Sequence, residues 1–229
     1  MREFNLLDEY PKLDKPRFVS DEKRTIKNRI IASERDHDFF DGERNNGYGG
    51  FKYDGRWEKI AHKIYKEYKL NEKSSLLQLN SEKGFLISDF KKNFPDIKCI
   101  GLETSDYAID NSIPEIKKNI NKVDNYIKLN FLNDTFDFVL AIGVIYALTI
   151  TDLLKCIKEI QRVGKGKSFI NLGSYENNEE YELFKKWSLL GATFLKKKEW
   201  IEILNYCGYS GDYYFTNAKT LNLKHDIKS

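Results

Sequence analysis

The chain has 229 residues, of which 41% are hydrophobic and 32% charged, with only four prolines. That is the composition of one soluble, folded domain with added segments, not of a disordered or fibrous chain. A net charge of +3, from 38 basic and 35 acidic side chains, is too balanced for a nucleic-acid groove or a membrane-binding face. Cys99, Cys156 and Cys207 are odd in number and far apart, so they read as buried thiols in a reducing compartment, with no disulfide framework and no metal site.

The N-terminal stretch MREFNLLDEYPKLDKPR interleaves charges with its apolar residues and lacks the continuous apolar region of a signal peptide. The longest apolar stretch, 138–150, contains Gly143 and falls short of the roughly 20 residues that cross a bilayer. A cytoplasmic protein with no membrane partner is therefore expected.

Up to about Gly55 the sequence has little periodicity, and an extended arm is expected. From Trp57 to Leu70 the residues Ile60, Ala61, Ile64, Tyr65 and Tyr68 follow helical spacing. Leu76, Leu77 and Leu79 then predict a first strand, followed by a polar turn and a helix running to Phe90. Residues 97–102 predict a second strand. Asp106 opens a helix through Ile109 that Pro114 must bend or interrupt. A third strand is expected over 125–129 and a strongly apolar fourth over 136–142. Leu153, Leu154, Ile157, Ile160 and Val163 outline an amphipathic helix ended by Gly164. A fifth strand follows over 168–172, then helices over 178–189 and 197–206. The aromatic stretch YSGDYYFTN predicts a last strand, added antiparallel at the sheet edge. Together these predict an α/β fold: a Rossmann-like, doubly wound, mostly parallel sheet with an antiparallel edge strand and an N-terminal helical or loop extension. The expected division is an arm and substrate lid over 1–57, the main domain over 58–219 and a tail over 220–229.

In such a sheet the ligand lies beyond the carboxyl ends of the strands, at the switch point. The loops that matter are therefore 80–83, 103–105 and 143–148, which make Asn80, Gly84, Glu103, Thr104 and Gly143 the expected cofactor-lining residues. A carboxylate after a strand, such as Glu103, can accept hydrogen bonds from both ribose hydroxyls of a nucleoside cofactor, although an isolated acid there is more often a solvated turn. The glycine-rich segment 41–57 supplies donors and aromatic faces from Arg44, Tyr48, Tyr53 and Arg56, as a lid over an anionic substrate would; packing of Tyr48, Phe51 and Trp57 against the sheet is the structural alternative. His37 lies in the same region and is a candidate general base. Tyr146 could orient an acceptor hydroxyl or simply pack. His62 and His225 read as solvated, as does the helix start at Lys196, and GKGKS at 164–168 lacks the spacing of a phosphate-binding loop.

The strings FFDGERNNGYGGFKYDGRW, KGFLISDF, GLETSDYAID, EIQRVGKGKSFINLGSYENNEEYELFKKW and KKKEWIEILNYCGYSGDYYF resemble a group of bacterial class I methyltransferases linked to surface-polysaccharide, capsule and sugar-modification gene clusters. The resemblance covers most of the chain, from about Arg35 to Phe215. It implies an S-adenosylmethionine cofactor, with Gly84 and Glu103 at the positions that match the cofactor motifs. Where the family's first strand ends in an acid and runs into a glycine-cysteine-glycine turn, this chain has Gln78, Asn80, Ser81 and Glu82. The resemblance also puts Glu82 where the cofactor's carboxylate would approach, and like charges there repel. Residues 121–137 lack the loop that usually covers the adenine, and Tyr146 replaces a common histidine. Two functions follow as expectations. One is a methyltransferase acting on a sugar or phosphate-bearing small molecule in polysaccharide biosynthesis. The other is a catalytically degenerate relative that binds beside an intact paralogue, as a heteromer, or as a homo-oligomer.

Overall fold

The computed structural model describes residues 1–11 and 15–226. A seven-stranded sheet forms the centre. Its strands are β1 (Arg2–Glu3), β3 (Ser75–Leu79), β4 (Lys98–Glu103), β5 (Ile120–Lys122), β6 (Phe138–Ala141), β7 (Ser168–Gly173) and β8 (Asp212–Thr216), in the spatial order β1-β8-β7-β6-β3-β4-β5. Every neighbouring pair is parallel. Parallel neighbours need long crossovers, and helices supply them: α4 (Phe85–Asn93) after β3, α5 (Asp106–Asp110) after β4, α6 (Ile150–Val163) after β6, and α7 (Asn178–Trp187) with α8 (Lys197–Tyr206) after β7. Helix α3 (Glu58–Glu67) leads into the sheet. The chain moves outward from β3 to β4 and β5, then returns to β6 on the other side. The switch point therefore lies at β3 and β6.

The period of two along each strand divides the core between two faces. Leu77, Leu79, Val139, Ala141 and Ile170 pack under α6, with Leu153, Ile157 and Ile160. Their neighbours Leu76, Phe138, Leu140 and Phe169 pack under α3 and α4, with Ile60, Ile64, Leu86 and Phe90. Pro114 ends the predicted helix as expected, because α5 stops at Asp110 and the proline opens a separate 3-10 turn, Pro114–Asn119.

The structure corrects three sequence-based expectations. The last strand is parallel to β7, not antiparallel, because α8 carries the chain back across the sheet before β8 begins; the edge position belongs to β1, whose Arg2 holds Asp212 of β8 at 2.7 Å. The expected strand over 125–129 does not form. Three-residue β5 has already taken the available pairing with β4, and side chains satisfy the next backbone groups instead: Glu159 accepts from Leu129 N at 2.6 Å and Arg162 donates to Leu129 O at 2.9 Å. The arm is structured, with β2 (Arg17–Val19), α1 (Ile26–Glu34) and α2 (His37–Phe40). Strand β2 pairs in parallel with β9 (Leu223–His225), so part of the expected tail belongs to a second, two-stranded sheet; residues 227–229 of that tail, and 12–14 of the arm, lie outside the described residues. Among the described residues, no helix is long and apolar enough to cross a membrane.

Trp200 is fully buried, and its indole N–H donates to Gly173 O at 2.8 Å, joining α8 to β7. Trp200→Ala removes that bond and leaves a cavity, so it should cost about 3–5 kcal/mol, read as a lower urea midpoint.

Candidate functional site: the crevice at the ends of β3, β4 and β6

Glu103 closes β4 and is fully buried. Its Oε1 accepts from Thr104 N and Ser105 N, each at 2.8 Å, and from Arg35 Nη2 at 3.0 Å, while its Oε2 accepts from Glu82 N at 2.7 Å. A carboxylate has about two lone-pair sites on each oxygen; three donors crowd Oε1 here, while Oε2 accepts a single bond. Arg35 comes from the arm. It caps α1 in the left-handed conformation, and its own carbonyl accepts from Ser105 Oγ at 2.5 Å. The residue is thus held at both ends against the β4–α5 junction. Burial opposes its charge, but Glu103 and then Glu82 outweigh that and hold its pKa above the ordinary value.

The loop after β3 takes an unusual path. Asn80, Glu82 and Gly84 have φ of 57°, 53° and 75°, so every second residue is left-handed. Glycine adopts this freely, whereas another L-residue pays about 1–2 kcal/mol, less for asparagine. Asn80 and Glu82 are therefore side chains on backbone shaped for glycine. Gly84 is favoured by its φ, and a Cβ there would lie 2.2 Å from Ile116 Cδ1, so that side chain would have to shift.

The rest of the arm seals this loop. Tyr48 Oη donates to Glu82 Oε1, and burial followed by Glu82 raises the Tyr48 pKa. Lys83 Nζ donates to Asp41 Oδ2 at 2.5 Å, Tyr107 Oη donates to the same oxygen at 2.7 Å, and Phe51 N donates to Asp41 Oδ1 at 3.0 Å. Phe51 stacks on Phe85 at 4.6 Å and on Tyr48 at 4.3 Å, which continues an aromatic layer through Phe40 to Tyr107. Gly47 permits the tight crossing beneath it, where a Cβ would lie 1.8 Å from Phe39 O. Around Glu103 and Glu82, Arg35 Nε, Ser81 Oγ and Tyr126 Oη are buried without hydrogen-bond partners among the described residues.

The remaining sequence candidates are spread out. Gly143 faces the same crevice, with φ 73° and only Asn80 Nδ2, at 3.8 Å, near a notional Cβ; its N–H donates to Asn171 Oδ1 at 2.7 Å. Tyr146 packs against Phe194 and Phe184, and burial followed by Glu82 raises its pKa. His37 is exposed and bonded to Asp38. The lid candidates do not converge on one ligand position: Tyr48 goes to Glu82, Tyr53 to Asp89, Arg56 to Asp54 at 2.5 Å, and Arg44 to Gly47 O at 2.5 Å. Sequence reasoning missed Arg35, Asp41 and Lys83 as site residues. Arg35 and Asp41 sit inside or beside the quoted FFDGERNNG string, which was the available signal. The contacts that reveal them span 68 and 42 residues.

Glu82 is the titratable centre of the crevice. Burial pushes its carboxyl from the ordinary 4.5 up to about 7, against the pull of Arg35 and the Tyr48 hydrogen bond. The folded protein then holds this proton more tightly than the unfolded chain, so rising pH favours unfolding. Stability should fall as pH rises from 4.5 to 7. Chemical denaturation across that range should show the slope in the wild type and a flatter profile in Glu82→Gln.

Residues 77–170, from within β3 to within β7, match the family model described as "Methyltransferase domain". No curated protein matches the chain. Among solved structures, the YcgJ protein from Bacillus subtilis is 14% identical at a TM-score of 0.52, covering 64% of this chain and 66% of that one. Protein BH2331 from Bacillus halodurans C-125 is 15% identical at 0.51, covering 65% and 68%. The [4+2]-cyclase SpnF is 14% identical at 0.52, covering 66% and 56%. The chain thus spans about two thirds or less of the length of these structures, and at such identities they share its fold. One of them bears the name of a cyclase, so fold alone does not fix chemistry. Within this chain, the stretch from β3 to β7 is similar to the methyltransferase-domain family, and the sheet as a whole shares the Rossmann-like fold of these structures.

Proposed function

We propose that this protein is a methyltransferase-fold binding subunit, working in the cytoplasm, whose cofactor crevice is held shut by its own arm. The ion pair that the arm's Arg35 makes with Glu103, on an oxygen already bonded by two backbone amides, carries this reading. The family implies S-adenosylmethionine, and a nucleoside cofactor needs free acceptors for its ribose hydroxyls. Both oxygens of Glu103 are already committed to Arg35 and to three backbone amides. A second carboxyl, Glu82, stands in the same loop, and once ionised, above about pH 7, it would oppose the approach of the cofactor's own carboxylate. The residues as placed do not fit the cofactor, and no catalytic step is derived through it. An intact paralogue or a second copy of the chain is the natural partner of such a subunit. Ile26 and Ile30, one turn apart on α1 and 73% and 58% exposed, offer an apolar face to it.

The openness of Gly143 favours a second reading. In it the arm swings away, the crevice accepts S-adenosylmethionine, and Tyr146 orients an acceptor hydroxyl on a sugar or phosphate-bearing precursor of a surface polysaccharide. Fold and position then supply most of the rate, because methyl transfer is an in-line displacement that depends on alignment.

Calorimetric titration with S-adenosylmethionine and S-adenosylhomocysteine separates the two. The closed-crevice reading expects no binding by the wild type at millimolar concentration. It expects recovered binding when the acid and glycines are restored and the plug removed, in Gln78→Asp/Asn80→Gly/Glu82→Gly/Arg35→Ala, with circular dichroism checking the fold. Cofactor co-purifying with the wild type, or saturable wild-type binding, would overturn it.

A further inference from the structure

Away from Glu103, a cavity of about 220 Å3 lies between the two-stranded sheet, the arm and the end of α7, lined by Arg24, Arg44, Lys23, Lys186, Asn45 and Trp187 among others. Among the described residues its two arginines lack counter-ions. Arg24 gives one N–H to Trp187 O at 2.5 Å and stacks 3.8 Å from the Trp187 ring centroid. Arg44 gives one N–H to Gly47 O at 2.5 Å, with its guanidinium 5.6 Å from the same ring. Arg17 stands behind them at 5.4 Å from the indole, with Nε buried and unpartnered. Among the described residues none of these three forms an ion pair, whereas the lysines at the rim are paired, Lys23 with Asp226 at 3.0 Å and Lys186 with Asp21 at 2.5 Å.

Three guanidiniums gathered round one indole repel one another. Burial and then its neighbours Arg44 and Arg17 lower the Arg24 pKa to about 9, which is the direction that an unfilled anion site produces. Cation–π contact offsets part of that repulsion, and among the described residues the outward N–H groups have no acceptors. Guanidinium forks match phosphate oxygens in geometry as well as in charge.

We propose that this cavity binds the phosphoryl group of a small molecule, with Arg24 and Arg44 as its ligands and Trp187 as the floor that aligns them. The volume sets the class of ligand. It lies below the roughly 300–1,000 Å3 of pockets that enclose whole ligands, so the phosphoryl group enters and the remainder of an ester stays outside. Asp21 and Asp226 at the rim interrupt any continuous basic track, which separates this site from a polynucleotide groove.

The site is independent of the Glu103 crevice and is tested without S-adenosylmethionine. Calorimetry and tryptophan fluorescence at low ionic strength would use inorganic phosphate, a hexose 1-phosphate and the uncharged hexose. Both phosphates should bind and the hexose should not; binding of inorganic phosphate alone would assign the site to the free anion. Arg24→Gln and Arg44→Gln should each weaken binding by about tenfold or more. Lys158→Gln, an equal loss of charge at an exposed position on α6, should leave it unchanged. If Arg24→Gln fails to fold, Arg24→Lys keeps the charge and the stem but not the fork, and should show a smaller loss. Phosphate stabilises folded proteins generally, so saturable heat is the criterion rather than a thermal shift. Absence of saturable phosphate binding in the wild type, or equal binding by wild type and both glutamine variants, would overturn the proposal.

Discussion

The ion pair between Arg35 and Glu103 is the contact on which the form of the crevice depends. A carboxylate buried at the end of a parallel strand must be paired or neutralised, because an isolated charge there is costly. Donors from the domain supply part of the pairing through backbone amides, and the arm supplies the cation. Removing either partner leaves the other charged and buried, a larger penalty than the pair's own net contribution. The arm is therefore not a loose cover. It is a component of the charge balance at the centre of the sheet.

That balance explains why the loop after β3 tolerates side chains where its backbone favours glycine. The strain at Asn80 and Glu82 is of the order of a kcal/mol each, and the surrounding contacts must over-determine those conformations. Glu82 gives its N–H to Glu103 and accepts from Tyr48, while Lys83 next to it reaches Asp41. Each bond ties the loop to the arm or to β4, so strain and closure sustain one another.

Much of this fold was legible in the sequence, since buried parallel strands write themselves as apolar runs and α6 carries a full amphipathic stripe. Local patterns could not report partners, and that is where expectation and structure part. YSGDYYFTN signals a strand, but its direction depends on α8. Tyr126 and Leu129 signal burial, but Glu159 and Arg162 decide that they lie in a loop. In the crevice, Gln78, Asn80, Ser81 and Glu82 were visible as departures from a glycine turn, and Glu103 as a carboxylate after a strand. The identity of what faces Glu103 was not visible, because Arg35 is brought there by α1, α2 and the aromatic layer acting together.

The pairing of β2 with β9 gives the arm a second anchor. With Val19 fixed to the chain's far end and α3 fixed to the sheet, the segment carrying Arg35 and Tyr48 is tethered on both sides, and its guanidinium competes for Glu103 as an intramolecular ligand. Tethers of this kind act at effective concentrations in the millimolar range or above. Any outside molecule that is to occupy the crevice thus meets a threshold set by chain connectivity: it must out-compete a neighbour that never diffuses away, and shortening the C-terminus would lower that threshold without touching a residue of the crevice.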